Sequence, residues 1–278
     1  MEQRIDREVS RHDAPMVPAP GGRGTAMVAR MSGSDLVAAV VLAAGKGTRM
    51  GSDQAKVLHC LAGRPLVTYP LAVARTVGAT RVVVVVGHQK EAVIAAVRSD
   101  ADGSDNVRFA EQTEQLGTGH AVQCALQGLE GFDGVVVILS GDVPLVTEAS
   151  LRGLITACQT SGAGLAAATF EPEDPTGYGR MLRGPDGGLI AIREHKDANE
   201  AERRVTECNA GIYCVNAQHL RDDLPRIGRG NAQNEIYLTD LVELGAGRGS
   251  VAGVPIPLRE ATGINTQAQL AQLEAELA

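Results

Sequence analysis

RVVVVVG, residues 81–87, is a run of five valines closed by a glycine. β-Branched residues favour extended backbone, and a run without polar alternation marks a strand covered on both faces. LVAAVVLAA (36–44) and VVVILSGD (135–142) have the same texture. Between these runs lie PLVTYPLAVARTVG (65–78), KEAVIAAVRSD (90–100) and TGHAVQCALQGL (118–129), amphipathic stretches that read as crossover helices. Buried strands alternating with helices predict an α/β fold built on a doubly wound, mostly parallel sheet, Rossmann-like in outline.

The texture changes after residue 164. GRMLRGPDGGLIAIREH (179–195) alternates with period two around a Pro-Asp-Gly-Gly turn, which predicts a hairpin lobe inserted beside the main sheet. A strand at 209–215, a helix from about Tyr237 to Ala246 and a closing helix at 266–277 complete one domain over 36–278. Residues 1–35 are polar and rich in Pro and Gly without periodicity, so they are expected to form a disordered extension. Nothing after residue 250 repeats with a hexapeptide period, which excludes a β-helix there.

Composition narrows the function classes. Of 278 residues, 44% are hydrophobic, enough to bury a large core without staples. The 26 basic and 33 acidic residues give a formal charge of −7 without a basic block, which argues against a nucleic-acid surface. The five cysteines lack a C-x-x-C pair and are odd in number, so neither a disulfide framework nor a zinc knuckle is expected, and a reducing, cytoplasmic setting fits. No apolar stretch approaches the ~18 residues of a membrane span, and no secretory signal is visible. The sequence carries no signal of oligomeric state.

LAAGKGTRMGSDQAKVLH (42–59) follows the first strand and concentrates glycine with cations. It is not a P-loop, because Lys46 precedes Gly47 where Ser or Thr should stand to hold magnesium. It is not a dinucleotide loop either. Gly45, Gly47 and Gly51 are spaced one residue too long, and no acidic residue ends RVVVVVG to take a ribose. What remains is a backbone that curls around phosphate with the amides of Ala44 to Thr48, flanked by Arg49 and Lys56. The residues alone also allow an ordinary Gly-rich turn with solvated cations.

Eight ordered motifs resemble a known family. LAAGKGTRM…KVLH, QTEQLGTGHAV (112–122), GDVPL (141–145), PTGYGR (175–180), REHKDA (193–198), ECNAGIY (207–213), QNEIYLTD (233–240) and GIN (263–265) are similar in order and spacing to the uridyltransferase domain of bacterial bifunctional N-acetylglucosamine-1-phosphate uridyltransferases. The resemblance spans about residues 37–275. It implies attack of N-acetylglucosamine 1-phosphate on the α-phosphate of UTP, giving UDP-N-acetylglucosamine and pyrophosphate with Mg²⁺ as cofactor.

The resemblance also implies roles residue by residue. Arg49 and Lys56 would be catalytic; Leu42, Ala43, Ala44, Gly45, Gln112, Gly117 and Thr118 would bind the nucleotide. Gly179, Glu194, Asn209, Tyr237 and Thr239 would bind the sugar, and Asp142 and Asn265 the metal. Several have a plainer alternative. Asp142 could cap the next turn, Asn265 the last helix and Thr118 its own helix, while Glu194 could be a solvated hairpin charge. Gln112 offers a donor and an acceptor suited to a uracil edge. His120 is expected to be structural, because an anionic phosphate needs no general base to attack. Cys208 reads as a small buried filler.

Ser140 stands where relatives commonly carry an aromatic, and NAG (209–211) and QNEIY (233–237) replace NTG and QGEYY. These departures bear on the sugar. With no β-helix at its end, the chain is expected to carry out uridyl transfer alone. The rival readings are a nucleotidyltransferase for another sugar phosphate or base, such as thymidylyl transfer to glucose 1-phosphate, and a non-catalytic nucleotide-sugar sensor.

Overall fold

The computed structural model describes residues 36–100 and 106–277; the extension expected over 1–35 lies outside the described residues. The first strand, β1 (Val37–Ala43), leads through the glycine loop into the short hairpin β2 (Cys60–Leu61) and β3 (Arg64–Pro65). Helix α1 (Thr68–Thr76), β4 (Ala79–Val86), α2 (Lys90–Arg98), β5 (Val107–Glu111), α3 (Thr118–Ala125) and β6 (Val135–Ser140) continue the alternation. Next come α4 (Glu148–Thr160), β7 (Leu165–Phe170), the hairpin β8 (Arg180–Arg183) and β9 (Leu189–Arg193), α5 (Glu200–Arg203) and β10 (Cys208–Asn216). The chain finishes with α6 (Ala217–Asp223), α7 (Asp240–Ala246), β11 (Ala252–Pro255), α8 (Leu258–Ala261) and α9 (Gln267–Leu277).

The strand order is β11-β7-β10-β6-β1-β4-β5, with the β8–β9 hairpin attached to β10. β1 pairs in parallel with β4 and β6, β4 with β5, and β11 with β7. Only β10 breaks the sense along this path, antiparallel to both β6 and β7. The sheet is therefore mixed and mostly parallel, with helices on both faces, as the sequence predicts.

Side-chain alternation explains the three layers. Val82, Val84 and Val86 of β4 join the core under α1, α2 and α4, whereas Val83 and Val85 join the core under α3, α6 and α7. Ala39 and Val41 of β1 face the first of these cores, Ala38 and Val40 the second. Each fully buried valine contributes about 1.5–3 kcal/mol, so the valine runs hold both layers to the sheet.

The parallel strands deliver their following loops to one edge of the sheet, where α/β ligands bind. Because β10 runs the other way, its start rather than its end lies at that edge. Asn209 near the start of β10 thus comes to the same side as the loops that follow β1, β4 and β6. A register shift between Asn209 and Tyr213 interrupts the pairing of β10 with β7.

One element differs from expectation in extent, and one strand was not expected. The helix expected from Tyr237 starts at Asp240, because the preceding backbone bonds elsewhere: Ile236 N donates to Leu116 O at 2.7 Å. LAAATF, residues 165–170, is a strand despite its alanines. All six residues are buried, and small side chains suit a strand enclosed between helices.

Candidate functional site

A cleft of about 320 Å³ opens at the carboxyl edge of β1 and β6. Leu42, Ala44, Gly45, Lys56, Ser140 and Asp142 line it together with Gln112, Gln115, Gly117, Thr118 and Glu235. Ala43 is 1% exposed and belongs to the core beneath the sheet rather than to the cleft. Alternation along β1 explains that separation: Ala44 faces the cleft and its neighbour faces inward.

The cationic wall is set by a folded-back loop. Gly47 has φ +67, and a β-carbon there would overlap Lys56 and come 3.2 Å from its backbone nitrogen. Beyond it, the chain is tied by Gln89, whose side-chain oxygen accepts from Ala55 N at 2.8 Å and whose amide nitrogen donates to Asp53 O at 2.7 Å. Lys56 is presented from the residue after this clamp.

Lys56 Nζ pairs with Asp142 Oδ2 and donates to Asn265 Oδ1 at 3.0 Å. Arg49 Nη2 donates to the same Asn265 oxygen at 2.9 Å. Four residues separated by up to 216 positions thus converge on one point. The plainer roles fall away here. The Asp142 side chain engages Lys56, and α4 is capped by Thr147 instead. The cap of α9 is Thr266, whose hydroxyl accepts from Gln269 N at 3.2 Å while Gln269 Oε1 accepts from Thr266 N at 3.1 Å and Asn265 N at 2.8 Å. That reciprocal arrangement is a capping box, and it leaves the Asn265 side chain free to reach the cluster.

The donor set fits a hard divalent cation. A carboxylate oxygen and an amide oxygen reach the same ammonium nitrogen, so they converge as two ligands of one ion must. Among the described residues no group of three or more His, Cys, Asp or Glu side chains gathers round a common point. Magnesium suits a site of few protein ligands, because it keeps water and takes substrate phosphate oxygens.

Gln112, also in the cleft lining, is 3% exposed. Its Nε2 donates to Gly117 O at 3.0 Å and lies 3.2 Å from His120 Nδ1. Nε2 is turned to these two partners, and among the described residues no protein donor meets the carbonyl oxygen. Gly117 has φ +105, and a β-carbon there would lie 2.6 Å from Ile236 O. The Thr118 hydroxyl caps nothing in α3; it accepts from Leu238 N at 3.1 Å.

That contact links the cleft to the residues expected at the sugar. Leu116, Gly119 and Thr118 bond the 236–238 backbone, and next in line the Thr239 hydroxyl donates to Glu194 Oε1 at 3.3 Å. Asn209 donates to Tyr213 Oη at 2.7 Å and accepts from Gly211 N at 3.0 Å, while Asn209 N donates to Gly179 O at 2.9 Å. The Glu194 charge acts on Tyr213, whose hydroxyl burial drives upward. Gly179, Glu194, Asn209 and Thr239 are therefore one neighbourhood.

Tyr237 points its hydroxyl to Asp197 at 3.2 Å and, with Glu194, lines a second pocket of about 200 Å³. Burial and then the Asp197 charge push its phenol up to about 12. Glu194 is held above the usual carboxylate range chiefly by burial, with Asp197, Asp240 and Glu235 adding repulsion against the hydrogen bond from Thr239. It is not a solvated hairpin charge. Cys208 is wholly buried, as a filler should be.

Gln115 and Glu235 line the cleft without having been singled out in the sequence. Gln115 stands three residues after Gln112, and Glu235 sits in QNEIYLTD; both lie inside motifs whose neighbours drew the attention.

Comparison with known proteins gives a consistent family signal. A family profile described as MobA-like NTP transferase domain matches residues 39–211. Among curated proteins, Bifunctional protein GlmU of Anaeromyxobacter sp. (strain K) is 52% identical over 236 residues, 85% of this chain and 48% of that protein. Bifunctional protein GlmU of Geobacter sulfurreducens is 51% identical over 241 residues, 86% of this chain and 50% of its own length. The homologue of the same name from Geotalea uraniireducens is 47% identical over 238 residues. The chain spans about half the length of these relatives.

Proposed function

The chain belongs to the family of MobA-like NTP transferase domains and is a nucleotidyltransferase, and from that premise we propose that it transfers UMP from UTP to N-acetylglucosamine 1-phosphate, releasing pyrophosphate. The observation that carries this reading is the convergence of Arg49, Lys56, Asp142 and Asn265, of which Lys56 and Asp142 line the cleft together with Gln112. Relatives at about half identity that bear the name GlmU support the choice of sugar and base.

The chemistry asks mainly for alignment and charge neutralisation. A sugar 1-phosphate is already an anion, so its oxygen attacks the α-phosphorus without a general base, and pyrophosphate leaves on the opposite side. Lys56 and Arg49 would neutralise the phosphates of both substrates. The loop from Ala44 to Gly47 brings backbone close to the triphosphate, and Gln112 Oε1 accepts from the base edge. Glu194 and Asn209, with Gly179, Tyr237 and Thr239 around them, hold the sugar hydroxyls and acetamide. Asp142 and Asn265 would hold magnesium, which when bound supplies further charge neutralisation between the two phosphate groups. Free, largely buried thiols fit a cytoplasmic enzyme. No helix of the described residues is long and apolar enough to cross a membrane.

The test is turnover of purified protein with magnesium and a panel of nucleoside triphosphates and sugar 1-phosphates. UDP-N-acetylglucosamine and pyrophosphate should form fastest. A kcat/KM at least tenfold higher for another sugar phosphate, about 1.4 kcal/mol of discrimination, overturns the sugar assignment; no turnover of any pair overturns the catalytic reading.

A further inference from the structure

We propose that His120 is a positioning residue that fixes which end of the Gln112 amide faces the cleft, and so selects a pyrimidine presenting an N3–H over one presenting a bare ring nitrogen. The inference rests on the reading that Gln112 meets the base of the nucleotide.

The argument is a chain of hydrogen-bond polarities. The Gly117 carbonyl can only accept, so the Gln112 atom 3.0 Å from it is the amide nitrogen. The second hydrogen on that nitrogen is aimed at His120 Nδ1, 3.2 Å away, which must then accept. Neutral imidazole that accepts at Nδ1 carries its proton on Nε2. Nε2 faces Cys124 Sγ at 3.8 Å, a thiol that burial holds in its protonated form and whose sulfur is a weak acceptor. Every member of the chain is satisfied in one sense only. Reversing the Gln112 amide would set its oxygen against the Gly117 carbonyl, and moving the imidazole proton to Nδ1 would set two donors face to face.

The consequence falls on the remaining atom. Among the described residues Gln112 Oε1 receives no side-chain or backbone donor, and the residue lines the cleft. An isolated acceptor meets an imide N3–H well and a cytosine N3 badly, since two lone pairs then oppose each other. A site built to accept one hydrogen rejects a base that lacks it far more strongly than a site shaped by packing alone. His120 does this without touching the base.

The experiment compares kcat/KM for UTP and CTP in wild type, His120→Leu and His120→Asn. Leucine removes the acceptor while keeping apolar bulk; the asparagine side-chain oxygen can accept from Gln112 in place of Nδ1. For His120→Leu the UTP-to-CTP ratio should fall about tenfold or more, through KM for the nucleotide, with KM for the sugar phosphate unchanged. His120→Asn should keep the ratio within about threefold of wild type. An unaltered ratio in His120→Leu, or an equal fall in both variants, overturns the inference. Nitrogen-15 NMR of wild-type imidazole tests it without any variant: a proton on Nε2 supports it, and a proton on Nδ1 overturns it. If the wild type itself prefers CTP, the functional reading fails and takes the inference with it. A UTP-selective wild type with indifferent variants sinks the inference alone.

Discussion

Gly47 and Lys56 are in contact across the opening loop: a β-carbon on the glycine would overlap the lysine side chain and come 3.2 Å from its backbone nitrogen. Gly47 also has φ +67, a region that costs an L-residue about 1–2 kcal/mol. Gly47→Ala should therefore leave the sheet intact and push Lys56 away from Asp142 and Asn265. The expected result is a fall of about tenfold or more in kcat, as a displaced charge loses ~1.4 kcal/mol or more of transition-state stabilisation, with a far-ultraviolet circular dichroism spectrum like wild type. Wild-type kcat in Gly47→Ala would show that the contact does not position the lysine.

Asp142 is the one carboxylate in the convergent cluster, so Asp142→Ala should lose on the order of a hundredfold or more in kcat, given that metal charge stabilisation is worth several kcal/mol. Asn265→Ala should lose less, because water can replace a neutral ligand. Turnover against magnesium concentration, together with direct manganese binding in the presence of nucleotide, checks both. Near-normal rates for Asp142→Ala at low millimolar magnesium would remove it from the proposed metal site.

The capping box at α9 connects a stability feature to the same cluster. Gln269 Oε1 accepts from both Asn265 N and Thr266 N. Gln269→Ala should lower stability by about 0.5–1.5 kcal/mol and raise the magnesium concentration needed for half-maximal rate, as the backbone of Asn265 loosens. Thermal melts and magnesium titrations separate the two effects; a lower Tm with an unchanged magnesium requirement would confine Gln269 to capping.

Glu194 carries the clearest pH prediction. Its carboxyl is held above its ordinary value, first by burial and then by the Asp197, Asp240 and Glu235 charges. The folded protein thus binds this proton more tightly than the unfolded chain, and stability is lost as pH rises from the unfolded value, about 4.3, through the raised folded one. Glu194→Gln mimics the protonated form. It should raise Tm at pH 7, bring no gain below about pH 4, and increase KM for the sugar phosphate. Equal Tm for variant and wild type at both pH values would mean that the charge is not penalised in the fold.

Much of this architecture was legible in the chain, for physical reasons that differ by element. The runs at 37–43, 79–86 and 135–140 are strands enclosed on both faces, and continuous Val, Ile and Leu is what such a position requires. LAAATF at 165–170 gives no local strand signal, because alanine carries little strand preference and its place between β11 and β10 is decided by packing rather than by local propensity. The start of α7 is not legible locally, because Ile236 and Leu238 bond to the Leu116–Thr118 segment, a long-range partnership no local pattern reveals. For the candidate site, the loop chemistry of Arg49 and Lys56 was visible in their own stretch. Asn265 lies 209 residues beyond Lys56, and only the family resemblance joined them. The direction of the Gln112 amide was beyond reach, because it depends on a carbonyl and an imidazole brought alongside by the turn into α3.

The backbone from Ile236 to Thr239 acts as a shared rail. One side is bonded by Leu116, Thr118 and Gly119, and its end carries the hydroxyl that holds Glu194. Four consecutive residues thus join the cleft-lining turn at 116–119 to the carboxylate of Glu194. If the nucleotide and sugar phosphate of the proposed function seat at the two ends of this rail, any change that one makes in the affinity of the other is returned by the same factor.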